Sequence, residues 1–119
     1  MGYNFNNGTP IYLQIIEDLK MQIISKKYLP KQKIPSVRDL SIEYGANPNT
    51  IQKALTELEN MGLIVTERTN GKFVTENEEA IERIKEESIK KMIGEFYGNM
   101  QSIGLDKNAV LEILNKEKL

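Results

Sequence analysis

Side chains that can hydrogen-bond to nucleic-acid bases are concentrated in the sequence NPNTIQK at residues 47–53. The amides of Asn and Gln can pair with adenine through two hydrogen bonds, and a threonine can bond to phosphate or pack against a thymine methyl group. A lysine in the same segment has the charge for a phosphate contact. Asn47 also precedes a proline, which is typical of a helix N-cap, so a purely structural role stays open for it. The candidate contacts in this segment are Asn47, Pro48, Asn49, Thr50, Gln52 and Lys53.

Two further groups of candidates flank this segment. Ser36 and Arg38 are candidates at the start of a short helix. Arg38 is predicted on its solvent side, near the N-terminus that Ser36 caps, where it could meet a phosphate or a guanine. A surface ion pair of Arg38 with Asp39 or Glu43 is the alternative. The second group includes a glycine, which permits close approach of the backbone to a ligand. Its members are Arg68, Asn70, Gly71 and Lys72.

Charge is distributed unevenly along the chain, although the net charge is only -1. From Lys20 to Lys53 seven basic side chains stand against two acidic ones, whereas residues 76–119 carry seven basic and ten acidic ones. The basic surplus predicts that any contact with a polyanion lies in the first part of the chain. The lysines of the connector at residues 28–33 could face phosphates or belong to a solvated loop, and both interpretations stay open.

The first element that must position these candidates is a long amphipathic helix. Apolar residues recur at helical spacing from Tyr12 to Ile23, which predicts one buried stripe. Thr9 is expected as the N-cap, Pro10 in the first turn, and the helix end near Lys27. Residues 1–8 are polar and are expected to form a loose terminus.

Two shorter helices follow. Ser36 and Asp39 form a capping pattern for a helix over residues 37–44, and Gly45 is expected to end it in the left-handed conformation. The next helix starts at Asn47, only two residues later, and Gly62 ends it. Two helices joined by so short a turn must cross steeply, which predicts a helix-turn-helix.

A hairpin completes the predicted DNA-contacting unit. Residues 63–66 and 72–75 favour strands, and Asn70-Gly71 is a strong hairpin signal. A two-residue turn there would pair Thr69 with Lys72. The predicted fold class is therefore mostly α with a small β-hairpin, a winged helix-turn-helix followed by a short α-helical tail.

The tail, residues 77–119, is expected to pair two copies of the chain, and residues 1–76 to form the winged unit. Apolar residues at helical spacing span at least five turns, yet little of the chain remains to cover them, so a partner subunit is expected to do so. Gly104 is predicted to end this helix and Asp106 to cap another. The predicted dimerisation residues are Ile81, Ile84, Ile89, Met92, Ile93, Phe96, Tyr97 and Met100.

Composition argues against catalysis. The chain has no cysteine and no histidine, which removes zinc fingers, disulfides, the commonest general base and the thiol nucleophile. No nucleophile, oxyanion site or phosphate-cradling glycine loop stands out, so neither enzyme activity nor a metal or cofactor is expected. No membrane span or signal peptide is indicated, and a cytoplasmic location is expected.

Four separated motifs resemble the DNA-binding domain of GntR-family bacterial transcription regulators: PIYLQI, IPSVRDLS, NPNTIQKALTELENMGLI and GKFV. The short tail resembles that of the YtrA-type subfamily. The resemblance implies a homodimer that binds a near-palindromic operator and often represses its own operon, with DNA contacts at Arg38, the Asn47 to Lys53 segment and around Gly71. Members of the family usually have glycine where Lys26 and Lys31 stand, and many have arginine where Gln52 stands.

The resulting hypothesis is a sequence-specific, dimeric regulator of transcription that binds double-stranded DNA. A winged-helix module that binds a protein, without sequence-specific DNA binding, is the alternative from another class. The +5 charge surplus of residues 20–53 discriminates between them, because a protein-binding module has no need of it. An effector is not identifiable from the sequence.

Overall fold

The computed structural model describes residues 3–119. In that part of the chain there are five α-helices and one two-stranded antiparallel sheet, which confirms the mostly α fold with a hairpin. The helices are α1 (Ile11–Ile24), α2 (Val37–Tyr44), α3 (Pro48–Asn60), α4 (Glu78–Ser102) and α5 (Lys107–Lys116), and the strands are β1 (Ile64–Glu67) and β2 (Gly71–Val74). The chain divides into two compact units, Met1–Arg83 and Ile84–Leu119. The division lies seven residues beyond the expected boundary at 76/77, because the first turn of α4 buries Ala80 and Ile81 in the first unit.

The core of the first unit lies between α1, α2 and α3. The apolar stripe of α1 meets that of α3, and α2 packs across α3. These residues are almost completely covered by the chain itself: Ile15, Leu19, Ile23, Leu40, Ile51, Leu55 and Leu58. Burial of one such side chain stabilises the fold by about 1.5–3 kcal/mol, so contact between the two apolar stripes holds α1 against α3.

The ends of α2 and α3 follow the capping pattern of the sequence. The Ser36 hydroxyl accepts a hydrogen bond from the backbone N–H of Asp39 at 3.1 Å, and Gly45 ends α2 with φ of 64°. The turn that follows is held by the Ser41 hydroxyl, which donates to the carbonyl of Ala46. The helix-turn-helix is therefore fixed by backbone capping as well as by its apolar contacts.

The boundaries of α1 differ from those expected. Pro10 occupies the N-cap position and no side chain caps the helix. The carbonyl of Thr9 instead accepts a hydrogen bond from the Gln14 side chain at 2.7 Å. The helix ends at Ile24 rather than near Lys27, because Lys26 has φ of 68°, a left-handed conformation that cannot continue an α-helix.

The expected loose N-terminus is wrong for residues 3–8, whereas Met1 and Gly2 lie outside the described residues. Tyr3 and Phe5 pack against Tyr44 of α2, with ring centroids 5.5 and 6.5 Å from that of Tyr44. Gln14 accepts a hydrogen bond from the backbone N–H of Asn6 and donates one to its carbonyl, both at 3.0 Å. Aromatic packing and a glutamine clamp therefore order this polar segment.

The hairpin has a different register from the one expected. Thr66, not Thr69, pairs with Lys72, and Ile64 pairs with Val74. The loop consists of residues 68–70, and the N–H of Asn70 bonds to the carbonyl of Glu67 at 3.2 Å. Gly71 then begins β2 with φ of 106°. A three-residue loop followed by glycine at positive φ is a common alternative to the two-residue turn.

The connector between α1 and α2 pairs with β2 along its outer edge. The N–H of Ile34 donates to the carbonyl of Lys72 and the N–H of Val74 donates to the carbonyl of Gln32, each at 2.8 Å. A β-bridge joins Lys33 to Phe73. The connector is therefore held in place by backbone hydrogen bonds and is not a free loop.

In the second unit α5 begins at its predicted cap, where the Asp106 carboxylate accepts from the N–H of Ala109 at 2.9 Å. Val110 is buried, but many large apolar side chains of α4 and α5 are exposed. None of the helices in residues 3–119 is both long enough and apolar enough to span a bilayer.

Candidate nucleic-acid interface

The polar edge of α3 is open to solvent along its first turns. Asn49, Gln52 and Lys53 are exposed and Thr50 is half-buried, whereas Ile51 and its neighbours on the opposite side are buried. Pro48 occupies the first turn of the helix, where its missing N–H leaves no hydrogen bond unmade. Burial of one side of α3 thus decides which side chains remain for recognition, and these are the ones that the sequence predicted.

Asn47 acts as the N-cap of α3. Its side-chain oxygen accepts a hydrogen bond from the N–H of Asn49 at 2.8 Å. The amide nitrogen of the same side chain has no partner among residues 3–119 and keeps its two donors for a ligand. Asn47 therefore caps the helix, and capping uses only the oxygen of its side-chain amide.

Lys53 is held over an aromatic ring. Its ammonium nitrogen lies 3.8 Å from the ring centroid of Tyr12 in α1. Such a cation–π contact restricts the flexible lysine side chain. Tyr12 was predicted in the buried stripe of α1, but it is half-buried and borders the polar edge of α3. Only the packing of α1 against α3 reveals that role, because the two residues are 41 positions apart in the sequence.

Arg38 is exposed on α2 and forms no ion pair with any of the described residues, so the alternative pairing with Asp39 or Glu43 is absent from the structure. Ser36, at the start of the same helix, is also exposed while its hydroxyl caps the helix. A free guanidinium with five donors is suited to phosphate or guanine.

The hairpin loop and the glycine that follows it, residues 68–71, form what we call the wing tip. All four are exposed. Arg68 forms no ion pair within residues 3–119, and the Asn70 amide donates to the Glu67 carboxylate at 3.2 Å. The wing tip therefore presents one free cation and a glycine without a side chain.

Lys72 is placed differently from the other candidates. Its ammonium donates to the carboxylate of Glu59, at the end of α3, and at 2.8 Å to the hydroxyl of Thr66. The Thr66 hydroxyl in turn donates to the other carboxylate oxygen of Glu59 at 2.6 Å. The hydrogen bonds from Lys72 and Thr66 hold the pKa of Glu59 below its ordinary value. The charge of Lys72 is thus balanced within the fold.

Together these features define a winged helix-turn-helix with a polar recognition helix, which is a class of DNA-binding protein. Residues 11–74 match the family model described as bacterial regulatory proteins, gntR family, and the chain belongs to that family. It is a DNA-binding regulator of transcription and not an enzyme.

Similar proteins agree with this assignment. The chain is 36% identical to the HTH-type transcriptional regulator YhcF of Bacillus subtilis over 94% of this chain and 93% of that one. It is 45% identical to the HTH-type transcriptional repressor YtrA of the same organism, over 60% of this chain and 55% of that one.

Two groups of solved structures are informative. A GntR-family transcriptional regulator from Listeria monocytogenes superposes with a TM-score of 0.89 at 32% identity, over 96% of this chain and 100% of that one. The DNA-binding domain of AraR, solved in complex with operator ORX1, superposes with a TM-score of 0.56 at 33% identity, over 63% of this chain and 90% of that one. The first likeness extends through both compact units, and the second is limited to a shorter part of the chain.

Proposed function

We propose that this regulator is a homodimeric repressor that binds a near-palindromic operator. Residues 1–76 would bind DNA and the tail, residues 77–119, would pair two copies. Repression is supported by the similar proteins YtrA and NagR, both named as transcriptional repressors. Operator binding is supported by the similar AraR domain, which was solved with operator DNA. The site of action is the bacterial cytoplasm, where an operator is accessible.

The observation that carries the DNA-binding proposal is the unpaired polar edge of α3 together with Arg38. Folding buries the apolar side of α3 but leaves the side chains of Asn49 and Gln52 and the amide donors of Asn47 without partners among residues 3–119. In a winged helix this helix enters the major groove, where amides reach base edges. Arg38, Lys53 and the wing tip supply charge for the phosphate backbone, which dominates affinity.

The pairing proposal rests on an exposed apolar row on α4, which we call the tail row. Its exposed members have between 40% and 60% of their surface accessible: Ile89, Met92, Ile93 and Phe96. Tyr97 and Met100 continue it and are half-buried. Ile81 and Ile84, predicted with them, are already buried in the single chain and contribute no exposed surface for pairing.

A second copy is the natural cover for the tail row, because a closed two-fold interface buries the same surface on both subunits. The two recognition helices would then face successive major grooves on one side of the DNA. Their half-sites would be about 34–36 Å apart, one turn of the duplex, or a multiple of that.

DNA binding is tested by fluorescence anisotropy with a duplex selected by this chain from a random library and a scrambled duplex of the same length. We expect preference for the selected duplex and strong salt dependence. Arg38→Ala should weaken binding about 5- to 150-fold, corresponding to about 1–3 kcal/mol. Arg83→Ala removes an exposed arginine of α4 and serves as the control. Equal affinity for both duplexes would overturn sequence-specific regulation.

Pairing is tested by sedimentation of the full chain at micromolar concentration. We expect a dimer. A monomer at that concentration would overturn the proposed pairing while leaving the recognition surface of the first unit untouched.

A further inference from the structure

Folding pairs several of the basic side chains around the predicted interface with carboxylates. Four lysines form ion pairs within the chain: Lys20 with Glu17, Lys26 with Glu78, Lys31 with Glu76 and Lys72 with Glu59. The last of these is the pair in which both partners are well covered, since 19% of the Lys72 side chain and 29% of the Glu59 side chain are accessible. The number of basic residues in the sequence is therefore larger than the number of unpaired cations that could contact DNA.

Lys33, in the connector, is the lysine that the structure leaves available beside the wing tip. It is exposed and forms no ion pair with the described residues. Its side chain crosses Gly71, because a Cβ built there would lie 3.2 Å from the Lys33 Cε atom and 3.9 Å from its ammonium nitrogen. A side chain at position 71 would displace it.

The backbone of Lys33 is fixed to the same hairpin. The bridge to Phe73 and the flanking hydrogen bonds of Gln32 and Ile34 make the connector an additional strand beside β2. Lys33 therefore moves with the wing tip and not with a free loop. It also borders a groove between the start of α2 and the wing tip, whose lining includes Ser36, Asn70, Gly71 and Lys72.

We propose that Lys33 is the lysine of the wing that binds a DNA backbone phosphate, and that Lys72 is a positioning residue that holds β2 against the end of α3. The inference rests on the proposed binding of DNA and assigns the contacts within it. Lys33 has a free ammonium between two groups of predicted contacts, whereas Lys72 would have to abandon Glu59 and Thr66 to reach a phosphate. Releasing Lys72 would leave the half-buried Glu59 carboxylate without its cation, which is costly.

The salt dependence of binding distinguishes the two roles. Each neutralised phosphate contributes about 0.9 to the slope of log K against log salt concentration. We would measure this slope between about 50 and 200 mM KCl on the selected duplex, by anisotropy, for the full chain and for Lys33→Met and Lys72→Met. Lys118→Met, a charge removed near the end of the chain, is the matched control.

Because the proposed dimer carries two copies of each lysine, Lys33→Met should reduce the slope by about 1.8 and lower affinity about 25-fold at 150 mM salt, and Lys118→Met should do neither. Lys72→Met should lower the unfolding midpoint while leaving the slope unchanged. An unchanged slope in Lys33→Met, or a slope reduced by about 1.8 in Lys72→Met, would overturn the assignment.

Glu59→Gln is informative even where Lys72→Met does not fold. It removes the ion pair but keeps the lysine, so the proposed positioning role of Lys72 predicts a lower unfolding midpoint. An unchanged midpoint would overturn that role. The preference of the wild type for the selected duplex over the scrambled one is measured separately. If that preference is absent, sequence-specific regulation is overturned. The salt slopes still distinguish the roles of Lys33 and Lys72.

Discussion

The two compact units treat their apolar side chains in opposite ways. In the first unit, side chains such as Leu19, Leu55 and Leu58 are enclosed by the chain itself. In the second, Ile93 is 60% and Ile103 70% exposed, and Val110 is buried. Isolated exposed apolar residues such as Ile42 also occur in the first unit and are ordinary. A row of them along one helix is different, and it is the observation on which the proposed pairing through the second unit rests.

Breaking the core of the first unit should have the largest effect on stability. Leu55 is 1% exposed between α3 and its neighbours, so Leu55→Ala removes buried methyl groups and leaves a cavity. We expect the free energy of unfolding to fall by about 2–5 kcal/mol. Denaturant unfolding at one fixed protein concentration measures it, because the proposed pairing would make stability depend on concentration. The neighbouring Thr56→Ala, at an exposed position, should change it by less than about 0.5 kcal/mol.

A charge in the tail row should separate the copies without unfolding the first unit. Ile93→Asp places a carboxylate where an apolar contact is proposed, and we expect the dimer dissociation constant to rise at least about a hundredfold, or about 3 kcal/mol. Sedimentation at several concentrations measures this constant. Lys91→Asp changes charge on the opposite side of α4 and should leave it nearly unchanged. If Lys91→Asp dissociates the chain as strongly as Ile93→Asp, a different face of α4 pairs.

The difference between the units also explains what the sequence could predict. Apolar periodicity located the helices, and local capping placed Ser36, Gly45, Asn47 and Asp106, because both depend on residues within one or two turns. The hairpin register was wrong because Asn70-Gly71 fits both a two-residue turn and a three-residue loop ending in glycine. The pairing of β2 with the connector joins residues about 40 positions apart, so the sequence of the turn could not predict it.

The candidate interface shows the same limit. The exposed positions of α3 follow from its apolar stripe and were predicted. Lys72 was predicted as a contact because it is basic and lies in the hairpin, but its partner Glu59 is 13 positions away on another element. The contact of Lys53 with Tyr12 likewise joins two helices. The charge of a residue therefore does not predict whether its side chain is ion-paired within the fold or unpaired and available to DNA.

Acid should weaken the link between α3 and the hairpin. Because the folded-state pKa of Glu59 is lowered, its stabilisation is present above the ordinary value of 4.5 and is lost as pH falls through the lowered pKa. We expect wild type to exceed Glu59→Gln in stability by about 1 kcal/mol at neutral pH, a value reduced by partial exposure. Thermal unfolding from neutral pH down through that range should show the difference disappear. A difference that persists at low pH would mean that the carboxylate charge is not its source.

The smallest effect concerns the left-handed lysines of the connector. Lys31 has φ of 70°, which is unfavourable for any residue with a Cβ, and its ion pair with Glu76 at 3.3 Å is so exposed that it contributes little. Lys31→Gly should therefore raise the free energy of unfolding by about 0.5–1 kcal/mol. Lys27→Gly, at a position without positive φ, should lower it. Since Lys31 is paired with Glu76 and Lys33 has no ion pair among residues 3–119, Lys31→Gly should also leave the salt slope of DNA binding unchanged. A more stable variant with a shallower slope would show that Lys31 also binds a phosphate. Phosphate binding would then be shared by Lys31 and Lys33.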